Sequence, residues 1–384
     1  MEINVLAITN AIIVMPDYYI YDGTILIDDG KIVDFGRKIK IPENTKILDA
    51  NGLYVGPGLI DIHTHADGES FFWDAPVKVA KTLAKHGVTD VLPSLYFNMD
   101  KGQFIEAIKL IKKTMTSGEA DNIIGFYMEG PYLNPNYGCN RENNPWRGIV
   151  NKADYTEVVD EAGELAKVWC VAPELENIEE FVKYAKEKNP GAVFSVAHSE
   201  ASPEEIEALI PYGLKLATHH TNATGVLHKF PECRSACVDE AAQYNDTIYT
   251  ELICDNVGIH VAPYMLRLIR KIKGDDKIIL IADAFVDEDV KPDDERYEGA
   301  DDINVNAAGE IAGSKMILDG PCRNMMKHTG ASVCQVFKFA STNPATLLGL
   351  SDRGRIAKGN VANLVLVDHL FNVKSTVLKG KIVD

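Results

Sequence analysis

Six residues of the chain have the chemistry and the placement of a hydrolytic metal centre. Each is a histidine, glutamate or aspartate that ends a short apolar run or follows it closely: His63, His65, Glu129, His198, His219 and Asp283. Imidazole and carboxylate groups are the ligands that suit zinc or another borderline divalent metal. A hydrolytic metal site uses three protein ligands and keeps an open position for water, whose pKa the metal lowers toward neutrality. These residues therefore indicate metal-assisted hydrolysis.

Five of the six residues make up the predicted metal ligands. Glu129, His198 and His219 come from three different apolar runs and supply a complete ligand set for one divalent ion. His63 and His65 are two residues apart, so on a strand they lie on the same face. They could hold a second ion, with Glu129 bridging the two. The residues thus allow one ion or two.

Two residues suit the proton transfers and the developing charge of an amide hydrolysis. Asp283 is predicted to act as general base, accepting a proton from the metal-bound water and later giving it to the departing amine. His260 follows the apolar run 250–254 and is placed to polarise the scissile carbonyl and stabilise the oxyanion. We therefore expect an enzyme that cleaves a C–N amide bond.

The elements that must position these residues form a repeating pattern of apolar runs and helical stretches. Eight runs alternate with helical segments such as FIEAIKLIKKTM and IEEFVKYAKEK. The runs are residues 59–63, 90–95, 123–128, 168–172, 193–197, 214–218, 250–254 and 278–282. Such runs suit strands buried on both faces, and the count suits a (β/α)8 TIM-type barrel. The carboxyl ends of barrel strands face one mouth, so the residues above would converge there. A doubly wound open sheet would give the same alternation.

Both chain ends have a different texture, with short alternating strands and tight turns. Asp29-Gly30 and Lys379-Gly380 are predicted hairpin turns. We expect residues 1–55 and 355–384 to form one small β-sandwich domain, and residues 56–354 to form the barrel.

Composition and charge exclude several classes of protein. The net charge of −17 argues against nucleic-acid binding, which needs clustered Lys and Arg. The sequence has no uninterrupted apolar stretch of about 18 residues, so a membrane span is not expected. The first residues have the pattern of a strand and not of a signal peptide. The seven cysteines form no CxxC pair, and their odd number favours a reducing cytoplasm. We expect a cytoplasmic enzyme with a small-molecule substrate.

Several longer motifs carry a family resemblance through nearly the whole chain. They are VGPGLIDIHTH, MEGPYLNP, VAPE, AHSEA, ATHHTNATG, DNVGIHVAP, IADAF, IAGSKM and STNPATLLGL. In this order they resemble the N-acetylglucosamine-6-phosphate deacetylase family of the amidohydrolase superfamily. The resemblance implies metal-dependent removal of acetate from an N-acetylated amino-sugar phosphate, with zinc as the expected metal. It also implies a homodimer.

The resemblance assigns roles to residues matched by motif. Glu129, His198 and His219 would be metal ligands, and Asp283 would be the proton shuttle. The implied substrate contacts are Asn222, Ala223, His260, Ile311, Ala312 and Gly313.

Three departures from the family pattern concern residues that choose the substrate. Gly138-Cys139-Asn140 stands where the family has Gly-Ala-His, so Cys139 and Asn140 are predicted substrate contacts. Lys229 stands at the place of a phosphate-anchoring arginine; lysine keeps the charge but loses the bidentate fork. Arg234 or His228 is an alternative phosphate contact. The third departure is Ala66-Asp67, which follows His65 where the family usually has glycines. A related amino-sugar phosphate or another N-acyl compound thus remains open.

Two rival functions use the same residues differently. A deaminase or cyclic-amide hydrolase of the dihydroorotase type often bridges two metals with a carboxylated lysine on the fourth strand. The segment VWCVAPE has no lysine at that place. A catalytically inactive barrel kept as a binding protein would be expected to lack a ligand or the proton shuttle, and all of them are present.

Overall fold

The structure is a computed structural model that describes residues 5–225, 229–230, 233–290 and 295–383, with residues 229, 230 and 234 described by their backbone only. Its strands are β1 (Leu6–Val14), β2 (Tyr19–Asp28), β3 (Lys31–Gly36), β4 (Lys46–Asp49), β5 (Tyr54–Pro57), β6 (Leu59–Thr64), β7 (Val88–Tyr96), β8 (Phe126–Glu129), β9 (Ala166–Val171), β10 (Val193–Val196), β11 (Leu214–Ala217), β12 (Lys229–Phe230), β13 (Cys233–Arg234), β14 (Tyr249–Ile253), β15 (Ile278–Ile281), β16 (Ile303–Val305), β17 (Ile311–Ser314), β18 (Leu364–Val367), β19 (Val373–Leu378) and β20 (Lys381–Ile382). Its α-helices are α1 (Pro76–Lys85), α2 (Lys101–Ser117), α3 (Lys152–Ala162), α4 (Ile178–Lys188), α5 (Pro203–Leu209), α6 (Val238–Tyr244), α7 (Pro263–Lys273), α8 (Asp319–Thr329), α9 (Val333–Phe337) and α10 (Asn343–Leu347).

Eight parallel strands form the barrel predicted from the apolar runs. β6, β7, β8, β9, β10, β11, β14 and β15 pair with their neighbours in chain order. Backbone hydrogen bonds join the first strand to the last: Asp283 N donates to His63 O at 2.9 Å, and His65 N donates to Ala284 O at 3.0 Å. These bonds close the sheet, so the prediction of a barrel over an open doubly wound sheet is confirmed.

Helices cover the outside of the barrel because each presents one apolar face to it. In α2, Phe104, Ile108 and Ile111 are buried at the i, i+4 and i+7 spacing of a helical stripe. The same helix begins with a capping box between Asp100 and Gln103 and ends at Gly118 in the left-handed conformation. Both devices satisfy backbone groups that a helix end leaves free.

The small β domain predicted from both chain ends is also confirmed. β1 to β5 and β18 to β20 form one sheet, in which β18 pairs antiparallel with β5. Apolar residues from both ends, among them Ile8, Ile27, Val55 and Leu364, share one core cluster. The domain limits 1–55, 56–354 and 355–384 stay a prediction.

The two predicted hairpin turns have the backbone that their sequences require. Asp29 and Gly30 have φ of 45° and 71°, and Lys379 and Gly380 have φ of 48° and 78°. Positive φ at both central residues is the mark of a type I′ turn.

Among the described residues, no helix has the length and apolar character needed to cross a membrane.

Candidate active site

The predicted metal and proton-transfer residues lie together at the carboxyl ends of the barrel strands. Glu129 ends β8, and three others stand two residues beyond β10, β11 and β15. These three, His198, His219 and Asp283, have positive φ values of 42°, 29° and 46°. This conformation costs a non-glycine residue on the order of 1 kcal/mol or more, and it is typically kept where a side chain must point in a set direction.

Three of the predicted ligands surround one point. The Oε1 atom of Glu129 lies 2.9 Å from His198 Nε2 and 3.4 Å from His219 Nε2. The two imidazole nitrogens are 3.0 Å apart. Ligands bound to one tetrahedral zinc at about 2 Å would be separated by about 3.3 Å. The three side chains therefore fit the ligand set of a single divalent ion.

The second carboxylate oxygen of Glu129 faces a different pair of histidines. Its Oε2 atom lies 3.2 Å from His65 Nε2 and 3.9 Å from His63 Nε2. Asp283 Oδ1 lies 3.3 Å from His65 Nε2 and 3.5 Å from His63 Nε2. Both groups of potential ligands are buried, and Glu129 belongs to each.

The charges of the cluster favour a bound cation. Burial alone would raise the carboxyl pKa values, but the neighbouring histidines hold the pKa of Glu129 well below its usual range and lower that of Asp283 to about 2. Burial likewise opposes a charge on His63, yet Asp283 and Glu129 raise its pKa well above the usual value. Carboxylates thus draw positive charge into a buried site. A divalent ion would take the place of the imidazole protons.

Glu251 is a member of the site that the sequence reasoning missed. Its side chain is fully buried on β14, and its Oε2 atom accepts hydrogen bonds from His63 Nδ1 at 3.1 Å and from the His219 backbone N at 3.1 Å. Because a carboxylate oxygen only accepts, His63 carries its proton on Nδ1 and presents Nε2 to Glu129. Such partners orient metal-binding histidines. The one signal in the sequence was an acid inside the apolar run YTELI.

Replacing Glu251 by leucine should weaken metal binding by about 10- to 100-fold, the usual effect of losing an outer partner of a ligand. Competition with a chelator of known affinity measures this. Ser195→Ala is the matched control, because Ser195 is also buried inside the barrel and its hydroxyl bonds to Thr218 at 2.6 Å. If Glu251→Leu folds, by circular dichroism, and binds metal with wild-type affinity, the orienting role is wrong.

His260 is held by an aspartate that stands two residues beyond the end of β14. Asp255 accepts hydrogen bonds from the backbone N of Ile259 and of His260, both at 2.8 Å, and its Oδ2 lies 3.3 Å from His260 Nδ1. Burial opposes the charge of Asp255, but these hydrogen bonds keep the pKa of its carboxyl below the usual value. Among the described residues, His260 Nε2 has no hydrogen-bond partner. His260 also lines the cavity that opens above the metal cluster.

A cavity of about 450 Å³ opens above the cluster, which is the size range of small-ligand pockets. Glu129, His198, His219 and Asp283 form its floor. Six of the predicted substrate contacts also line it: Cys139, Asn222, Ala223, His260, Ile311 and Gly313. Nine lining residues were not among the predicted site residues: Tyr96, Phe97, Asn136, Tyr137, Gly138, Arg141, Ile253, Phe285 and Glu310.

Three predicted substrate residues are not among the residues that line this cavity, and the side chain of one of them is not described. Asn140 donates its backbone N–H to Glu310 at 3.1 Å, and its side-chain oxygen accepts from Asn306 at 3.1 Å. Ala312 is buried in β17, between the lining residues Ile311 and Gly313. The side chain of Lys229, like residues 226–228, lies outside the described part of the chain.

Two local features define the cavity wall near Asp283. At Gly313, with φ of 67°, an added Cβ would lie 2.3 Å from Asp283 O, so only glycine lets β17 pass this closely. Burial, reinforced by Glu129 and Asp283, raises the pKa of the Cys139 thiol to about 12. Cys139 is therefore a neutral wall residue, since nucleophilic attack needs a thiolate.

Comparison with known proteins agrees with this geometry. The sequence pattern of the amidohydrolase family matches residues 54–383. N-acetylglucosamine-6-phosphate deacetylase of Bacillus subtilis strain 168 is 27% identical, with 98% of this chain and 96% of that protein covered. N-acetylgalactosamine-6-phosphate deacetylase of Escherichia coli O157:H7 is 25% identical, with 89% of this chain and 90% of that protein covered. The crystal structure of N-acetylglucosamine-6-phosphate deacetylase from Pasteurella multocida has a TM-score of 0.85 at 25% identity, covering 98% of this chain and 99% of that one.

These findings confirm the resemblance seen in the motifs. The His and Glu cluster at the barrel mouth is suited to a divalent metal ion. With the barrel, this cluster and the sequence pattern all in agreement, the chain belongs to the amidohydrolase family.

Proposed function

We propose that the chain is a metal-dependent deacetylase that removes acetate from an N-acetylated amino-sugar 6-phosphate. The observation that carries this proposal is the meeting of Glu129, His198, His219 and Asp283 on the floor of one sugar-sized cavity. The names of the similar proteins in Bacillus subtilis and Escherichia coli support this substrate class, and they differ in the sugar.

We propose zinc as the metal, with Glu129, His198 and His219 as its ligands. His63 and His65 would hold a second ion, which Glu129 would share through its other oxygen. When bound, such an ion supplies a Lewis acid that acidifies water and polarises a carbonyl. A donor set of imidazole and carboxylate groups supports zinc over calcium or magnesium, which prefer oxygen ligands.

The proposed chemistry of the protein's own groups is proton transfer and charge stabilisation. The Asp283 carboxylate, whose Oδ1 lies 3.3 Å from His65 Nε2, takes a proton from the attacking water. It then passes that proton to the amine nitrogen as the C–N bond breaks, which yields acetate and the free amino sugar. His260, whose Nε2 has no hydrogen-bond partner among the described residues, stabilises the carbonyl oxygen as negative charge develops there.

The rival with a carboxylated lysine has less support. The lysine of β9, Lys167, donates through Nζ to Glu164 O at 2.9 Å, whereas the barrel interior of this strand holds Cys170 beside Thr218. Glu129 already faces both histidine pairs. The geometry thus favours a carboxylate bridge.

We also propose a homodimer that works in the cytoplasm. All seven cysteines are free, which supports a reducing compartment. The family resemblance supports the dimer.

A turnover screen tests the proposed substrate. N-acetylglucosamine, N-acetylgalactosamine and N-acetylmannosamine are offered with and without the 6-phosphate, and released acetate is measured. We expect the phosphorylated forms to be hydrolysed with the higher kcat/KM. If none of the six is hydrolysed by metal-loaded protein, the deacetylase proposal is wrong.

Lys229 is proposed as a phosphate contact, so Lys229→Ala should raise KM about tenfold or more for a phosphorylated substrate and hardly at all for its unphosphorylated counterpart. Lys229→Arg is the matched control, because arginine keeps the charge and adds a bidentate fork. An equal change of KM for both substrates would show that Lys229 does not meet the phosphate.

A further inference from the structure

A single loop carries a cationic side chain to the wall of the active-site cavity. Arg141, in the loop that follows β8, lines the same cavity as the metal ligands and Asp283. Among the described residues that line this cavity, it is the one Lys or Arg. The other charged lining groups, apart from the histidines, are the carboxylates of Glu129, Asp283 and Glu310.

Arg141 is held in a fixed direction through only one of its nitrogens. Its Nη1 atom donates to Gly138 O at 3.0 Å and to Glu310 Oε1 at 2.8 Å. Among the described residues, Nε and Nη2 have no hydrogen-bond partner. An arginine has five N–H donors in a planar fork, so most of its donors are free to meet a ligand.

Glu310 is itself anchored, which makes it a positioning group for Arg141. Its Oε2 atom accepts from the Asn140 backbone N at 3.1 Å and from Asn306 Nδ2 at 3.1 Å. The Asn140 N–H, with Asn306 and Arg141, holds the pKa of the Glu310 carboxyl below its usual range. The carboxylate thus joins the loop after β8 to the β16–β17 hairpin, and both elements contribute cavity wall.

The strength of this ion pair decides whether Arg141 can also bind a ligand. The side chains of Arg141 and Glu310 are 44% and 31% exposed, and a pair this exposed contributes about 1 kcal/mol or less. A charge-assisted fork between a guanidinium and a phosphate is stronger and more directional. A phosphate can therefore share the guanidinium without breaking the pair.

We propose that Arg141 binds the anionic group of the substrate and so sets the preference for a phosphorylated amino sugar. The proposal rests on the proposed deacetylase function where it names an amino sugar as the substrate. The binding of an anion by Arg141 does not depend on that function. With a net charge of −17 the protein repels anions as a whole, so recognition of one requires a local cation. Arg141 supplies the bidentate fork that a lysine at position 229 lacks.

Calorimetric binding of the reaction products tests the proposal without any turnover. Glucosamine 6-phosphate and glucosamine are each titrated into metal-loaded wild type, Arg141→Gln and Arg141→Lys. We expect wild type to bind the phosphorylated amine about tenfold or more tightly than the neutral sugar. Arg141→Gln should lose most of this ratio, and Arg141→Lys should keep part of it, because lysine retains the charge without the fork.

Arg37→Gln is the matched control, because it changes the net charge by the same unit. Arg37 directly follows β3, in the small β domain, and its Nε donates to Tyr21 O at 3.1 Å. Its binding ratio should equal that of wild type. The proposal is overturned if Arg141→Gln keeps the phosphate preference, if wild type shows none, or if neither compound binds. If the ratio responds as expected while the acetate screen shows no hydrolysis, the deacetylase function fails and the anion site stands.

Discussion

Asp283→Asn should lower kcat by about 10²- to 10⁴-fold, the range that a positioned acid–base group contributes, and leave the bound metal in place. An asparagine keeps the shape of the side chain but cannot take up the proton of the attacking water. Asp283 Oδ1 lies 3.3 Å from His65 Nε2, whereas the Glu129, His198 and His219 set forms without it. Steady-state rates and metal analysis on the same preparation give both readouts.

The control for this variant is Asp319→Asn. Asp319 is also a buried carboxylate, but it pairs with His86 and Arg323 on the outside of the barrel. Its replacement should leave kcat within about twofold, although stability falls because a buried partner is lost. A rate for Asp283→Asn above a few per cent of wild type would refute the proton-transfer role. Loss of the metal as well would make Asp283 a ligand instead.

Glu129→Ala should remove the metal altogether, and turnover with it. Both histidine pairs use this one carboxylate, through Oε1 at 2.9 Å from His198 and through Oε2 at 3.2 Å from His65. Removing it leaves imidazoles crowded in a buried space without the negative charge that holds a cation there. Elemental analysis of the purified variant measures the outcome, and circular dichroism shows whether the barrel still folds.

Glu161→Ala is the control, since Glu161 pairs with Lys112 at 2.9 Å on the helical layer. It should keep full metal content. His65→Ala separates one ion from two: a two-ion centre should lose about half of its metal, because the Glu129, His198 and His219 set remains complete. Full metal content and rate in Glu129→Ala would rule out the ligand assignment.

Much of this protein could be predicted from local patterns. Each barrel strand overlaps an apolar run, and the helical stripe of α2 and the turns at Gly30 and Gly380 match their sequences. Backbone propensity and side-chain periodicity act over a few residues, so they can be seen in a single chain. The meeting of the predicted metal ligands could also be foreseen, because a barrel brings all strand ends to one mouth.

Only the tertiary structure decided the pairings between residues that are far apart in the chain. Glu251 meets His63 across 188 positions, and Arg141 meets Glu310 across 169. Asn140, predicted to face the substrate, bonds instead to the β16–β17 hairpin. Such contacts depend on how the loops above the barrel settle against one another, and no local periodicity specifies that. The sequence by itself therefore determined the barrel and the convergence of the predicted ligands at its mouth, and the tertiary contacts decided how those side chains are oriented and what lines the cavity.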